Sequence, residues 1–277
     1  MMFKLIRKIF KLIGLCIVLL VLLAGITAYY SIFVEPEKLN TKEVQVTSDS
    51  TYASFTAAVF SDTHFGAGYN LETFQKAIDE INSKDVDFVF FLGDLIDNFN
   101  TNEIDTALIS NALAQIDANY GKYAVFGNHD YGGGAENHYI DIMKNGGFTV
   151  LRNTSAYYPQ FNLRMTGADD FLIGYGNTTV VDNLSPGCFD FVLCHEPDVF
   201  DDFNREKIDL MTSGHSHGGQ INIPFVKHTL LPSLGAKYVR GQYVVDDAML
   251  YTNPGLGTTK IKARLFSTPE ITYFTIN

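Results

Sequence analysis

Five times between residues 55 and 217 a short run of Val, Phe, Ala and Leu is followed at once by a cluster of polar residues, and this recurrence constrains the fold more than any other feature of the chain. The instances are Phe55 to His64 (FTAAVFSDTH), Val86 to Asp97 (VDFVFFLGDLID), Lys122 to Asp130 (KYAVFGNHD), Phe189 to Pro197 (FDFVLCHEP) and Asp209 to His217 (DLMTSGHSH). Apolar runs of about four to seven residues without polar alternation read as strands buried on both faces. Between them, LETFQKAIDEI places Leu71, Phe74, Ile78 and Ile81 on one helical face, and EIDTALISNALAQI does the same for Ile104, Leu108 and Leu113. Strand, polar loop, helix, strand is an α/β grammar in which ligands sit beyond the carboxyl ends of the strands, so the polar clusters are expected to converge on one rim. After His217 the segments KYVRGQYVV, AMLYTN and ITYFTI predict antiparallel sheet completing the same domain.

The amino terminus is of another kind. Leu12 to Val34 carries no charge, and a helix of that length rises about 35 Å, enough for the roughly 30 Å hydrocarbon core of a bilayer. Lys4, Arg7, Lys8 and Lys11 precede it and Tyr29 and Tyr30 lie near its end. Basic residues on one side and interfacial aromatics on the other predict a single-pass signal anchor in the cell membrane, with the amino terminus cytoplasmic and the rest of the chain outside. A cleaved signal peptide is the competing reading, but its apolar core is usually about 7 to 15 residues with a small-x-small site, and Ile26-Thr27-Ala28 supplies Ile where a small residue is wanted. The expected organisation is therefore a basic tip and transmembrane segment over 1–34, a polar linker over 35–50, and a folded domain over 51–277.

Charge divides the same way. The whole chain is −11, but residues 35–277 carry 16 basic against 31 acidic groups, a formal −15. Such a domain lacks the basic stripe of a protein that binds nucleic-acid phosphates, which argues against nucleic acid as a partner. It also repels phosphorylated substrates at long range, so phosphate chemistry here would need metal ions. Cys188 and Cys194 flank a predicted strand that would hold them about 20 Å apart, too far for a disulfide, and are expected to be free thiols.

Five of the seven histidines (His64, His129, His195, His215, His217) fall in the polar clusters, together with Asp62, Asp94, Asp97, Asn128 and Asp130. Imidazole with carboxylate and amide oxygen suits Mn, Fe, Zn or Co better than an all-oxygen Mg or Ca cage. There are more donors than one tetrahedral ion uses, which implies two ions sharing a carboxylate. The order Asp62-x-His64, Gly93-Asp94-x-x-Asp97, Gly127-Asn128-His129-Asp130, His195, Gly214-His215-x-His217 resembles the calcineurin-like metallophosphoesterase superfamily. Cys194-His195-Glu196-Pro197, the run Ser213 to Gln220 (SGHSHGGQ) and the late GLGTTKIKARLFSTPEI resemble a branch of bacterial membrane-associated phosphoesterases. Where that branch shows Ser-Arg-Gly-Leu-Gly, this chain has Asn253-Pro254-Gly255-Leu256-Gly257, so an arginine is missing.

The resemblance implies a layered β-sandwich flanked by helices. It also implies one metal held by Asp62, His64 and His217, a second by Asn128, His195 and His215, and Asp94 between them. A metal-bridging hydroxide would attack phosphorus in line, His129 would serve the leaving group, Asp130 would orient His129, and Asp97 would support the ligands from behind. For Asp130 and Asp97, ordinary loop capping is an equal alternative. His215 and His217, two apart, read as an extended pair facing the same side. The expected activity is hydrolysis of phosphodiester or pyrophosphate bonds, those of a lipid-linked or envelope substrate before free metabolites. A phosphomonoesterase and a non-catalytic metal-binding scaffold are the alternatives; a metallo-β-lactamase-type hydrolase is not, since its His-x-His-x-Asp-His run is absent. Substrate-binding residues are not legible. His138 and His228 read as surface residues, Gly132-Gly133-Gly134 as either a mobile loop or a turn, and Arg264 as either a phosphate contact or an ion-pair partner. Phe99, Tyr131 and Tyr139 could line a pocket or the core.

Overall fold

The computed structural model describes residues 2–101, 104–182, 186–223 and 231–277. Helix α1 (Met2–Phe33) has a single buried residue, Ser31, and is the one described helix long and apolar enough to cross a membrane. There follow β1 (Asn40–Val46), β2 (Phe55–Phe60), α2 (Leu71–Asn82), β3 (Phe88–Phe91), α3 (Thr106–Ala114), β4 (Gly121–Ala124), the single turn α4 (Asn128–Tyr131), α5 (Tyr139–Asn145) and β5 (Phe148–Val150). Then come β6 (Thr154–Tyr158), β7 (Leu163–Gly167), β8 (Phe189–Leu193), β9 (Leu210–Ser213), β10 (Gly241–Val245), β11 (Ala248–Thr252) and β12 (Glu270–Ile276).

Two six-stranded sheets result, in the orders β1-β12-β2-β3-β4-β5 and β10-β11-β9-β8-β7-β6. Strands β2 to β5 are parallel, as are β7, β8, β9 and β11. Residues alternate faces along a strand, and both faces are covered. Phe88 and Phe90 point into the sandwich with Phe189, Phe191 and Phe274, whereas Val89 and Phe91 face the helices with Phe74, Ile78 and Leu113. Phe90 and Phe191 meet edge to face at 4.9 Å and 78°, an arrangement worth about 1 kcal/mol beyond the area it buries. The outer face of the second sheet buries Val192, Met211 and Leu250 under Phe200 and Phe203. Helices α2 and α3 start where Asn70 and Asp105 accept hydrogen bonds from their first turns. The layered α/β sandwich expected from the sequence is the fold found.

Three expectations are corrected. Residues 40–46 are a strand and not a spacer: β1 pairs in parallel with β12, burying Val44 and Val46 while Lys42 and Glu43 face solvent. Its partner lies 230 residues away, so nothing local marks it. Before β1, Glu35 is buried and its carboxylate accepts from the backbone N–H groups of Phe266 and Ser267. In α3 the buried face carries Ile109 and Leu113, and Leu108 is exposed. The carboxyl-terminal strands are mixed: β10 and β11 form an antiparallel hairpin, but β11 runs parallel to β9, and β12 inserts antiparallel to β2 and parallel to β1.

Candidate metal centre

All five strand ends meet on one rim. Asp62 and His64 follow β2, Asp94 follows β3, Asn128 follows β4, His195 follows β8, and His215 and His217 follow β9. Five of these seven residues hold left-handed backbone: Asp62 (φ 52°), His64 (44°), Asp94 (60°), His215 (67°) and His217 (51°). Left-handed φ costs a non-glycine residue roughly 1 kcal/mol or more and persists only where surrounding bonds enforce it. Here the turns are cross-tied: Asp62 N–H donates to Gly93 O (3.0 Å), His64 N–H to Asp94 O (3.1 Å) and Gly257 N–H to Asp62 O (2.7 Å). His215 and His217 are thus on a tight turn and not the extended pair expected from their spacing. The β3 and β4 turns touch backbone to backbone. A Cβ on Gly93 would lie 2.8 Å from Gly127 Cα, and one on Gly127 would lie 2.6 Å from Asp94 N and 2.8 Å from His195 Cε1.

Asp94 is central. Its Oδ2 is 3.4 Å from His64 Nε2 and 3.2 Å from His195 Nε2, while Oδ1 accepts from His129 N–H at 2.8 Å. On one side, His64 Nε2 is 3.1 Å from His217 Nε2, and Asp62 Oδ1 is 3.8 Å and 3.5 Å from those two atoms. On the other, His195 Nε2 is 3.1 Å from His215 Nδ1. Two of the remaining ring nitrogens are hydrogen-bonded from behind, whereas His217 Nδ1 is buried without a partner among the described residues. His195 Nδ1 donates to Leu92 O (2.7 Å) and His215 Nε2 to Ser233 O (2.8 Å), because carbonyls only accept. His64 Nδ1 faces Asp97 Oδ1 at 3.3 Å. These partners orient the opposite lone pairs into the cluster, as ligating histidines require.

The electrostatics ask for cations. Burial would push the Asp62 carboxyl up, but His217, His64 and His195 hold it below the usual carboxylate range. Asp94 is likewise held low by His195, His129 and His64 against burial. Burial lowers His64, yet Asp62, Asp97 and Asp94 raise it to about 9, and Asp94 and Asp62 raise His195 in the same way. Burial and then His195 push His215 down to about 4, and burial pushes His217 down too. Protons on His64 and His195 would satisfy the carboxylates only by aiming N–H groups at two imidazoles that already crowd them. Divalent cations meet the same demand with every lone pair directed at them. Asn128 supplies an independent indication: its Oδ1 is buried with no hydrogen-bond partner, an orphan costing about 1–3 kcal/mol unless a cation takes it. The donor set fits two divalent metals.

Asp130 does not orient His129. Adjacent residues on a helical turn do not face each other, and the Asp130 carboxylate instead accepts from the backbone N–H groups of Asp94 (2.7 Å), Leu95 (2.9 Å) and Gly127 (2.9 Å). Burial and Asp94 push it up to about 7 against those donors. The partner of His129 is Asp97, whose carbonyl accepts from Nδ1 at 2.6 Å and whose Oδ1 lies 3.7 Å away. Arg264 is fully buried, which closes it off from a substrate, and forms no ion pair with a described acid: it donates to the carbonyls of Pro254, Gly257 and Ser267, bracing the loop that carries Gly257 against Asp62. Tyr139 is core, its hydroxyl donating to Val125 O, and Tyr131 donates to Asp169. Phe99 stacks on exposed His138, and Gly132–Asn137 form a short 3-10 helix whose Gly133 O accepts from Asn100 N–H. His228 lies outside the described residues. Cys194 is buried and free, as is half-buried Cys188.

The cleft over the metal cluster has a volume of about 300 Å³, and its outer wall escaped sequence reading: Leu172 on one side, Thr259, Lys260 and Ile261 on the other. Gln220, last residue of the GHSHGGQ run, explains how that wall is fixed. Its Nε2 donates to the carbonyls of Thr259 (3.0 Å) and Ile261 (2.6 Å), and its Oε1 accepts from Thr259 N–H (3.1 Å). Thr259 Oγ1 in turn donates to Asp97 Oδ1 at 3.2 Å.

Known proteins similar to this chain point to one family. A model of the calcineurin-like phosphoesterase family matches residues 55–219. The metallophosphoesterase YkuE of Bacillus subtilis is 34% identical over 256 residues, covering 89% of this chain and 88% of that protein. Phosphodiesterase YaeI of Escherichia coli is 28% identical over 79% of this chain and 81% of its own length. A transmembrane protein with a metallophosphoesterase domain from Danio rerio is 27% identical over 92% of this chain and 61% of its own length. With a family model matching more than half of its length and a relative 34% identical over 89% of it, this chain belongs to the calcineurin-like phosphoesterase family.

Proposed function

We propose that the protein is a membrane-anchored, dinuclear metal-dependent hydrolase of phosphodiester or pyrophosphate bonds, acting outside the membrane on a lipid-linked or envelope substrate. The observation that carries the chemistry is Asp94 Oδ2, 3.4 Å and 3.2 Å from the Nε2 atoms of His64 and His195, between two sets of converging donors. Asp62, His64 and His217 would hold one metal, Asn128, His195 and His215 the other, and Asp94 both. When bound, such a pair polarises the phosphoryl oxygens and acidifies a water so that it is nucleophilic near neutral pH. The chain does the rest. The strained, cross-tied turns fix the donors before substrate arrives. Water oxygen bonds to phosphorus as the bond to the leaving oxygen breaks in line. His129, whose Nδ1–H is held by Asp97 O, would as an imidazolium pass its Nε2 proton to that oxygen and end as the neutral ring. The wall of Leu172, Lys260 and Ile261 offers a cation and two apolar surfaces to the rest of the substrate. The name of the relative YaeI supports diesters. Helix α1 and its four preceding or early basic residues support anchoring with the amino terminus inside.

The test is hydrolysis of bis(p-nitrophenyl) phosphate by the full chain in detergent with added Mn²⁺, beside p-nitrophenyl phosphate as the monoester control. Diester turnover that vanishes in Asp94→Ala and His195→Ala is expected. Turnover that survives both substitutions overturns the reading, and a preference for the monoester overturns its diester part.

A further inference from the structure

We propose that the wall of the cleft formed by residues 259–266 is also a membrane-docking surface, seated in the headgroup layer of the bilayer that holds α1, so that the site takes an amphiphilic phosphoester directly from that layer. The proposal rests on the reading of α1 as a membrane span.

The argument starts from where the helix leaves the membrane. Ser31 lies two residues before the last residue of α1 and next to Tyr29 and Tyr30, aromatics of the kind that mark the membrane–water interface. The carbonyl of Ser31 accepts from Arg264 N–H at 2.8 Å. Two residues of helix rise only about 3 Å, so the backbone of Arg264 must lie at the level where the helix emerges. Glu35 fixes the next residues there, accepting from Phe266 N–H (3.0 Å), Ser267 N–H (2.7 Å) and Thr268 Oγ1 (3.3 Å). The guanidinium of Arg264 clamps the same segment through Gly257 O and Ser267 O. This attachment is built from buried groups and is not a flexible tether.

The same segment lines the cleft. Ile261 is three residues from Arg264, which places the two Cα atoms within about 11 Å even if the chain were fully extended. The exit point of α1 and the outer wall of the metal cleft are therefore adjacent by covalent connection. The side chains that this segment turns outward have the composition of an interfacial surface. Ile261 is 47% exposed and Phe266 56% exposed. Lys260 and Lys262 are exposed cations that form no ion pair with a described residue, in a domain whose formal charge is −15. Lys260 (φ 59°) and Phe266 (φ 55°) both hold left-handed backbone, a conformation unfavourable for a bulky residue. An aromatic ring held outward at that cost, beside a membrane exit, has a place to go in the headgroup region, where aromatic residues and lysines are both favoured. Across the cleft, Leu172 and its neighbour Ile173 (58% exposed) continue the apolar rim. An acyl or prenyl tail could thus remain in the bilayer while its phosphate reaches the metals.

The chain contains no tryptophan, so single substitutions report position without background. Full-length Phe266→Trp, Ile261→Trp, Leu20→Trp and Tyr52→Trp variants would be reconstituted in phosphatidylglycerol-containing vesicles, with and without lipids brominated on the acyl chain close to the glycerol. Tyr52 is exposed beyond the far end of β1 and serves as the solvent control. Leu20 lies midway along α1. The expected result is emission roughly halved by brominated lipid at positions 266 and 261, as for rings at the interface, with position 52 unaffected. Quenching at position 20 with positions 266 and 261 behaving like position 52 overturns the docking surface and leaves the anchor standing. No quenching at position 20 overturns the anchor, and the docking surface with it. Ile261→Trp keeps the test decisive if Phe266→Trp fails to fold.

Discussion

The two halves of the metal centre use similar residues but are braced differently. On the Asp62 side, the donors include a full carboxylate, and His64 is backed by a second one, Asp97. On the Asn128 side, the additional oxygen donor is a neutral amide, and His195 and His215 are backed by the carbonyls of Leu92 and Ser233. Apart from Asp94, shared by both, the carboxylates among the donors and their direct partners are on the Asp62 side. The imidazoles do not divide by side: carboxylates outweigh burial to raise His64 on one and His195 on the other, while burial lowers His217 and His215. Charge count strengthens a cation site, so the Asp62 side should bind its metal more tightly.

Removing what the halves share should have the largest effect. Asp94→Ala is expected to lower kcat/KM for bis(p-nitrophenyl) phosphate by at least ~10³-fold, about 4 kcal/mol of transition-state stabilisation, with metal content reduced on both sides. Chelator titration of the wild-type protein, followed by metal analysis and residual activity, should show two steps, with the first ion lost from the Asn128 side. Release of both ions together would break the comparison. Asp97→Asn should weaken the Asp62-side metal by about 10- to 100-fold, narrowing or reversing that order in isothermal titration calorimetry. Unchanged affinity would mean that Asp97 merely caps its loop. Asp130→Asn should act on the scaffold beneath both halves equally, costing about 1–3 kcal/mol in denaturant unfolding because a donor then faces backbone N–H groups. Preferential loss of one metal would contradict this. The smallest effect belongs to Gln220→Ala: loosening the 259–261 wall should raise KM within a factor of ~10, about 1.4 kcal/mol, with kcat nearly unchanged.

What could be read in advance followed the range of the interactions. Apolar runs such as VDFVFF and AAVF specify buried strands locally, and the polar residues immediately after them can only fall at strand ends. The rim was therefore legible without any knowledge of pairing. Strand β1 was not legible, because NTKEVQV is polar on one face and gains its meaning only from β12. Of the two readings open for Asp130 the loop cap holds, and Arg264 takes neither of its two, for a related reason: each serves backbone groups, and backbone leaves no compositional trace. Left-handed φ at Asp62, His64, Asp94, His215 and His217 is invisible in residue type, since nothing distinguishes a strained histidine from a relaxed one. In α3 the choice of Ile109 over Leu108 reflects a rotation of the helix against α5 that periodicity in an apolar segment does not resolve.

The insertion of β12 between β1 and β2 sets a timetable for the protein's birth. Strand β1 leaves the ribosome soon after α1, but β12, its one neighbour among the described strands, is not made until some 230 residues later. At typical synthesis rates that interval is on the order of ten seconds or more. Throughout it the stretch from Ser31 to Val46 has no completed structure to join, because Arg264 and Phe266 also arrive late. With α1 held in a membrane as proposed, the rest could be threaded outward as an unclosed polymer, and the domain seals only when the seven-residue β12 slides into the gap.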